Sequence, residues 1–266
     1  MAKIHAILAD IDGTLTEGGN IKTADPALKK AIKDVRDSDI LFSLASARPW
    51  FEQEAFHHLL ISPDFYKPGE GISYEASCVR LLGKTECYQL GGLSKEQIKE
   101  VEQFASELQL FTEMAHQANN DKYETTTGYV TPTFISEGRT NTELLERTYQ
   151  KVKPILEEKF PFLDIVMSAD AIDINAKGVT KAKPVQKYSE ITGIPLENIA
   201  AIGDSGNDLP LLDLVGKAGG LAIYVGKKPE QEAAIRQYAH HFIPEQKNVM
   251  GTVEGLQYIV RINGGK

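Results

Sequence analysis

Short apolar runs alternate, at both ends of the chain, with segments whose apolar residues recur at helical spacing. Residues 4–9 read as a strand buried on both faces, the pattern of a parallel sheet. Asp25 and Pro26 supply a helix N-cap and first-turn pair, and Leu28, Ile32 and Val35 follow on one helical face. A second apolar strand, Ile40 to Ala45, leads into Ser46-Ala47-Arg48 and a helical segment carrying Phe51, Ala55 and Leu59. The rhythm returns late. Lys181 to Thr192 is predicted as a helix closed by Gly193, and Ile199 to Ile202 as a buried strand. Leu209 to Leu214 reads as helix, Leu221 to Val225 as strand, Pro229 to Tyr238 as helix, and Val249 to Ile262 as a last amphipathic helix. Such alternation predicts an α/β fold, a Rossmann-like open, mainly parallel sheet with helices on both faces.

The middle of the chain breaks this rhythm. Ser94-Lys-Glu-Gln97 is a capping box, opening a helix with Ile98, Val101, Ala105 and Leu108 on one face. Thr140-Asn-Thr-Glu143 is a second box, before Leu144, Leu145 and Val152, in a helix that Pro154 is predicted to kink or end. Stretches rich in threonine, tyrosine and valine (Tyr123 to Phe134, Asp164 to Met167, Ala171 to Asn175) suit antiparallel strands. The pattern therefore predicts a small α+β cap domain at residues 85–170, inserted in a core of residues 1–84 and 171–266. No internal repeat is present.

Composition narrows the class. A chain of 266 residues, 42% hydrophobic and 25% charged, can bury a sizeable core and is neither disordered nor fibrous. The formal net charge of −8 opposes non-specific binding to nucleic acid or to an acidic membrane, so neither is expected as a partner. Cys78 and Cys87 are too few for a disulfide scaffold and lack metal-site spacing; they read as thiols of a reducing compartment. The first apolar stretch runs straight into Asp10 and Asp12, unlike a signal peptide, and no eighteen consecutive residues are apolar. A cytoplasmic location is expected, with the oligomeric state left open.

In an open parallel sheet, ligands bind beyond the carboxyl ends of the strands. Asp10 and Asp12 follow the first strand, Ser46 and Arg48 the second, and Gly203-Asp204-Ser205-Gly206-Asn207-Asp208 the strand at 199–202. Four carboxylates on one rim repel strongly unless a cation lies among them. Hard oxygen donors without histidine or cysteine suit Mg²⁺. The adjacent pairs His57-His58 and His240-His241 do not share a helix face and read as surface, as does Lys227-Lys228.

Taken in order, Asp10-Ile-Asp12-Gly-Thr-Leu, Ser46, Lys181 in Gly178-Val-Thr-Lys181, and Gly203-Asp204-Ser-Gly-Asn207-Asp208 resemble the four motifs of the haloacid dehalogenase superfamily phosphatases. The insertion between the second and third motifs is similar to the mixed cap of the Cof-like branch. The resemblance implies a Mg²⁺-dependent phosphomonoester hydrolase acting on a small phosphorylated metabolite, such as a sugar phosphate or phosphoglycolate. It makes Asp10 the nucleophile that becomes an aspartyl phosphate and Asp12 the general acid and base. It gives the metal to Asp10, Asp12 through its main-chain carbonyl, and Asp204, with Asp208 completing or bracing the shell. Ser46, Lys181, Asn207 and the backbone N–H groups of Gly13 and Thr14 would meet the phosphoryl oxygens. Lys177 and Lys183 are rivals to Lys181. Ser46-Ala47-Arg48 stands where relatives carry Thr-Gly-Arg, which keeps the hydroxyl. Glu70-Gly71 stands where they often carry Asn-Gly, so no substrate contact is carried over there. In the inserted domain, His116, Lys122, Tyr123 and Arg139 are candidates for substrate contact. A phosphomutase of the same fold and a phospho-acceptor signalling module are the alternative readings.

Overall fold

The computed structural model describes residues 2–48, 50–74, 78–84, 87–90, 92–114, 127–131, 142–167 and 172–264. In chain order its first elements are β1 (Ala6–Ala9), α1 (Pro26–Asp37), β2 (Leu41–Ser46), α2 (Trp50–Leu60), β3 (Gly71–Tyr74), β4 (Cys78–Leu81) and β5 (Cys87–Gln89). There follow α3 (Lys95–Glu107), β6 (Phe111–Met114), β7 (Thr127–Thr131), α4 (Thr142–Lys159), β8 (Leu163–Met167) and β9 (Ile172–Ala176). The last are α5 (Ala182–Thr192), β10 (Ile199–Gly203), α6 (Leu209–Lys217), β11 (Leu221–Tyr224), α7 (Pro229–Ile235), β12 (His241–Phe242) and α8 (Asn248–Ile262). Two compact units result, one of Met1–Tyr74, Cys78–Tyr88 and Lys181–Lys266, the other of Glu75–Ser77 and Gln89–Thr180.

The first unit is built on one eight-stranded sheet in the order β12-β11-β10-β1-β2-β3-β4-β5. From β12 to β3 every neighbouring pair is parallel, and β4 turns back antiparallel to β3. The connections run one way from β1 through β2 and β3, and the other way from β10 through β11 and β12. The switch point of the sheet therefore lies between β1 and β10, where a crevice opens beyond the strand ends. Ala9 pairs with Ile202 on one side and Leu44 on the other, so the carboxyl ends of these three strands are level. Alternate residues (Ile7, Ala9, Phe42, Leu44, Ile202, Ile223) pack under α1, α2 and α8. Strand alternation turns Leu8, Ala201 and Ala222 to the other face, where α6 lies along β10 and β11.

Helix α1 forms as its sequence suggests. Asp25 accepts from the N–H groups of Ala27 and Leu28, and Leu28, Ala31, Ile32 and Val35 are buried. Helix α2 does not. Phe51, Ala55 and Leu59 face outward, and the buried positions are Gln53, Phe56, His57 and Leu60. These fall at i, i+3, i+4 and i+7, a proper helical stripe, but two of its four members are polar. An apolar-only count thus selects the wrong face. His57 is correspondingly buried rather than on the surface: its Nε2–H meets the Phe42 carbonyl at 3.2 Å, and its ring lies edge-on to Tyr66. Burial pushes its pKa down to about 4.

Glu70 precedes β3 and so lies at the opposite end of the sheet from Asp10. Fully buried, it accepts from Arg36 Nε at 2.6 Å and Nη2 at 3.1 Å, and from the Lys67 N–H at 2.9 Å. It ties the end of α1 to the strand and has no place in a substrate site.

The second unit has a four-stranded antiparallel sheet in the order β6-β7-β9-β8. Ile98, Val101 and Ala105 of α3 and Leu145, Val152 and Leu156 of α4 share a core with Ile165, Ile172 and Ile174. The Ser94–Gln97 capping box is formed; Thr140 lies outside the described residues. Helix α4 runs through Pro154 to Lys159. Val152 and Leu156, buried on either side of the proline, hold the helix where its own hydrogen bonding is interrupted. The core was expected to resume at residue 171, but the second unit reaches Thr180. The reason is β9, which is hydrogen-bonded to both β7 and β8. Among the described residues no helix is long and apolar enough to cross a membrane.

Two stability predictions follow from these buried groups. Arg36→Met leaves the fully buried Glu70 carboxylate without its cation and should cost about 3 kcal/mol in urea unfolding at pH 7; a loss under about 1 kcal/mol would show that the pair is dispensable. His57, whose pKa falls from 6.5 unfolded to about 4 folded, is held neutral. Its contribution is present above pH 6.5 and is lost as pH falls from there toward 4, by up to about 3 kcal/mol. The stability of wild type minus that of His57→Gln should therefore be flat above neutrality and fall with acidification. A pH-independent difference would contradict the buried, neutral ring.

Candidate active site

The carboxyl ends of β1, β2 and β10 and the start of α5 bring their polar residues together in the first unit. Asp10 follows β1 and is 3% exposed. Lys181, at the N-cap of α5, is 2% exposed and donates to Asp10 Oδ1 at 2.8 Å and Asp208 Oδ1 at 2.6 Å. Its rivals Lys177 and Lys183 are exposed. Asp208 uses its second oxygen within its own loop, accepting from the N–H groups of Asp204 (2.9 Å) and Ser205 (3.0 Å). Asp204 in turn accepts from the Thr14 hydroxyl at 3.0 Å.

These carboxylates strain against burial and against one another. Burial, with a smaller push from Asp208, raises the Asp204 pKa to about 7. Burial also holds Asp10 well above the usual carboxylate range, opposed by Lys181 and abetted by Asp208. One oxygen from each of Asp10, Asp204 and Asp208 lies within 4.8 Å of the others, so the three can hold a metal ion. An all-oxygen set of three carboxylates with one ammonium among them fits a hard divalent cation.

Two glycines make this closeness possible. A Cβ on Gly13 would fall 2.3 Å from Asp204 Oδ2, and Gly13 also takes φ +78°, which other residues resist. A Cβ on Gly203 would fall 2.4 Å from the Asp208 Cβ. The Asp10–Thr16 loop is further held from α8: Asn248 Nδ2 donates to the Gly13 carbonyl (2.9 Å) and the Thr252 hydroxyl to the Thr14 carbonyl (2.7 Å). The N–H groups of Gly13 and Thr14, expected to face an anion, instead donate to Thr16 and Ile11 carbonyls. The tight loop satisfies its own donors there.

Asp12 stands apart from the metal-capable trio. Its carboxylate is gripped at both oxygens by Arg48, through Nε at 2.7 Å and Nη2 at 2.8 Å. Arg48 also donates to Glu52 (2.7 Å) and the Gly19 carbonyl (2.9 Å). Ser46 is buried, and its Oγ accepts from the Arg48 N–H. Asn207 is half-buried, its side-chain oxygen accepting from the Ser205 hydroxyl at 2.6 Å. The grip of Arg48 and the supports from Asn248 and Thr252 were not legible in sequence; the pairs lie 36, 235 and 238 residues apart. His240 and His241 are half-buried, His241 Nδ1 lying 2.8 Å from the Tyr238 carbonyl, and Lys227 and Lys228 are exposed. Cys78 is buried; His116, Lys122, Tyr123 and Arg139 lie outside the described residues.

Comparison with known proteins places this geometry. A phosphoglycolate phosphatase of Methanothrix thermoacetophila is 43% identical over 54 residues, a stretch that is 20% of this chain and 24% of that protein. The chain thus spans about a quarter of that relative's length. The 5-amino-6-(5-phospho-D-ribitylamino)uracil phosphatase YcsE of Bacillus subtilis is 23% identical over 231 residues, 84% of each chain. A crystal structure of a haloacid dehalogenase-like hydrolase from Bacteroides thetaiotaomicron superposes with a TM-score of 0.72 at 16% identity, covering 97% of this chain and 100% of that one, and shows the same fold. The model of the haloacid dehalogenase-like hydrolase family matches residues 7–248. With the match spanning nearly its whole length, this chain belongs to the haloacid dehalogenase-like hydrolases.

Proposed function

We propose that this hydrolase is a phosphatase that cleaves phosphate monoesters of small metabolites through an aspartyl phosphate on Asp10, with Mg²⁺ as its cation. One observation carries the reading: Lys181 is buried between Asp10 and Asp208, with Asp204 alongside, beyond the strand ends at the switch point of the sheet. The names of the two phosphatase relatives support it, since both denote enzymes that remove phosphate from a small organic phosphate.

In this reading Lys181 fixes one oxygen of Asp10 and leaves the other to attack phosphorus. The P–O bond to the leaving group breaks, and Asp12 gives that oxygen a proton. Asp12 then takes a proton from water, which attacks the aspartyl phosphate, releases inorganic phosphate and restores Asp10. For these proton transfers one of the two Arg48 hydrogen bonds to Asp12 would give way, the other keeping the carboxyl in place. Asp10, the Asp12 main-chain carbonyl and Asp204 would hold Mg²⁺, with Asp208 keeping Asp204 in place through its backbone N–H. The ion supplies positive charge against the phosphoryl oxygens. The Ser46 hydroxyl and Asn207 amide would complete the anion's shell.

With p-nitrophenyl phosphate as substrate, Asp10→Asn should lower kcat by about four orders of magnitude or more while unfolding as wild type does. Activity within about tenfold of wild type would remove Asp10 from the nucleophile's role. EDTA should abolish turnover and Mg²⁺ restore it, and Asp204→Ala should raise the Mg²⁺ requirement sharply or inactivate the protein. Undiminished hydrolysis in EDTA would dispose of the metal-dependent mechanism.

A further inference from the structure

We infer that Gln53, an uncharged side chain wholly out of water, is a positioning residue for the active site, setting Arg48 against Asp12 by pinning the turn that carries it. The kinetic part of this inference rests on the phosphatase reading; the structural part does not.

Gln53 lies in the first turn of α2 and is 0% exposed. Its amide nitrogen donates to two carbonyls of the segment leaving β2, Ser46 at 3.1 Å and Arg48 at 2.7 Å. Two acceptors flanking one turn fix both its ends. From that turn the Arg48 N–H reaches Ser46 Oγ at 3.3 Å, and the guanidinium divides among Asp12, Glu52 and Gly19. A planar fork serving three partners tolerates little displacement of its root. The root is held by Gln53.

A second observation shows which end of Gln53 matters. Among the described residues its Oε1 is buried without a hydrogen-bond partner. Rotating the amide would not help, because the nitrogen is needed where two carbonyl oxygens converge. An apolar residue would spare this position an unsatisfied acceptor, and α2 fills its neighbouring buried positions with Phe56 and Leu60. A glutamine that carries an orphaned oxygen into the core acts there through its donor. Polar residues that break the rule of an apolar core face are expected where a site requires them.

The test uses the full chain. Gln53→Met keeps the length and removes the donor; Gln53→Leu replaces it if the first variant fails to fold by thermal unfolding. With Mg²⁺ and p-nitrophenyl phosphate, the variant should lose on the order of 10- to 100-fold in kcat with KM changed far less. Arg48→Met should lose at least as much, and the double variant Gln53→Met, Arg48→Met should be no worse than Arg48→Met alone, because Gln53 acts through Arg48. Losses that multiply, or a kcat within about twofold of wild type, would overturn the inference. A readout independent of turnover separates this from failure of the phosphatase reading. The ¹⁵N NMR signal of Arg48 Nε–H should be resolved and slow to exchange in wild type and broadened or lost in Gln53→Met. An unchanged Arg48 signal overturns the inference even if wild type hydrolyses no phosphate ester. A changed signal with an inactive wild type sustains the positioning and overturns the phosphatase instead.

Discussion

One buried cation organises the site. The Lys181 ammonium lies between Asp10 and Asp208, and the three side chains are 2%, 5% and 0% exposed. Charges so far from water are costly to bury, and their mutual attraction offsets that cost only with close geometry and further hydrogen bonds. Asp208 has two from backbone N–H groups of the loop that follows β10 and Asp204 one from the Thr14 hydroxyl, yet burial still holds the pKa values of Asp10 and Asp204 up. The cluster thus sets three carboxylates against one ammonium and is short of positive charge. A scaffold unable to neutralise its own carboxylates is suited to taking up a cation.

Everything near this cluster serves to hold backbone close to backbone. Gly13 and Gly203 have no side chain because a Cβ would collide with Asp204 or Asp208. Asn248 and Thr252, on the last helix, clamp carbonyls of the first loop. Asn248 itself takes φ +55°, a conformation asparagine tolerates better than most residues, while its N–H donates to the Val225 carbonyl. The first loop, the loop after β11 and the start of α8 are thereby tied together. Precision here comes from many short-range restraints between segments distant in sequence, a rigid frame of the sort electrostatic catalysis requires.

Helix α2 shows where pattern reading misleads. Its outward Phe51 is 54% exposed and its outward Leu59 37%, while Gln53 and His57 are fully buried. Both buried polar residues find main-chain carbonyls: Gln53 those of Ser46 and Arg48, His57 that of Phe42. Main-chain carbonyls have no signature in a hydrophobic pattern, whether 15 residues away on β2, as Phe42 is from His57, or in the turn just before α2, as Ser46 and Arg48 are. Glu70 makes the same point. It stands at a motif-like position, yet it is bound to Arg36 at the far end of the sheet.

By itself the sequence determined what depends on neighbours along the chain. Apolar runs ending in Asp10, Ser46 and Gly203-Asp204 specified buried parallel strands with polar residues at their carboxyl ends. Asp25 and Ser94 specified helix starts because their caps bond to N–H groups two or three residues on. Tertiary structure decided which face of α2 is core and that Lys181 rather than Lys177 or Lys183 is buried. It also decided that Arg48 grips Asp12 and that the Gly13 and Thr14 N–H groups turn inward. The physical reason is common to all of these. A buried polar group must find its partner wherever the folded chain brings one, and that partner need not lie within reach of any sequence pattern.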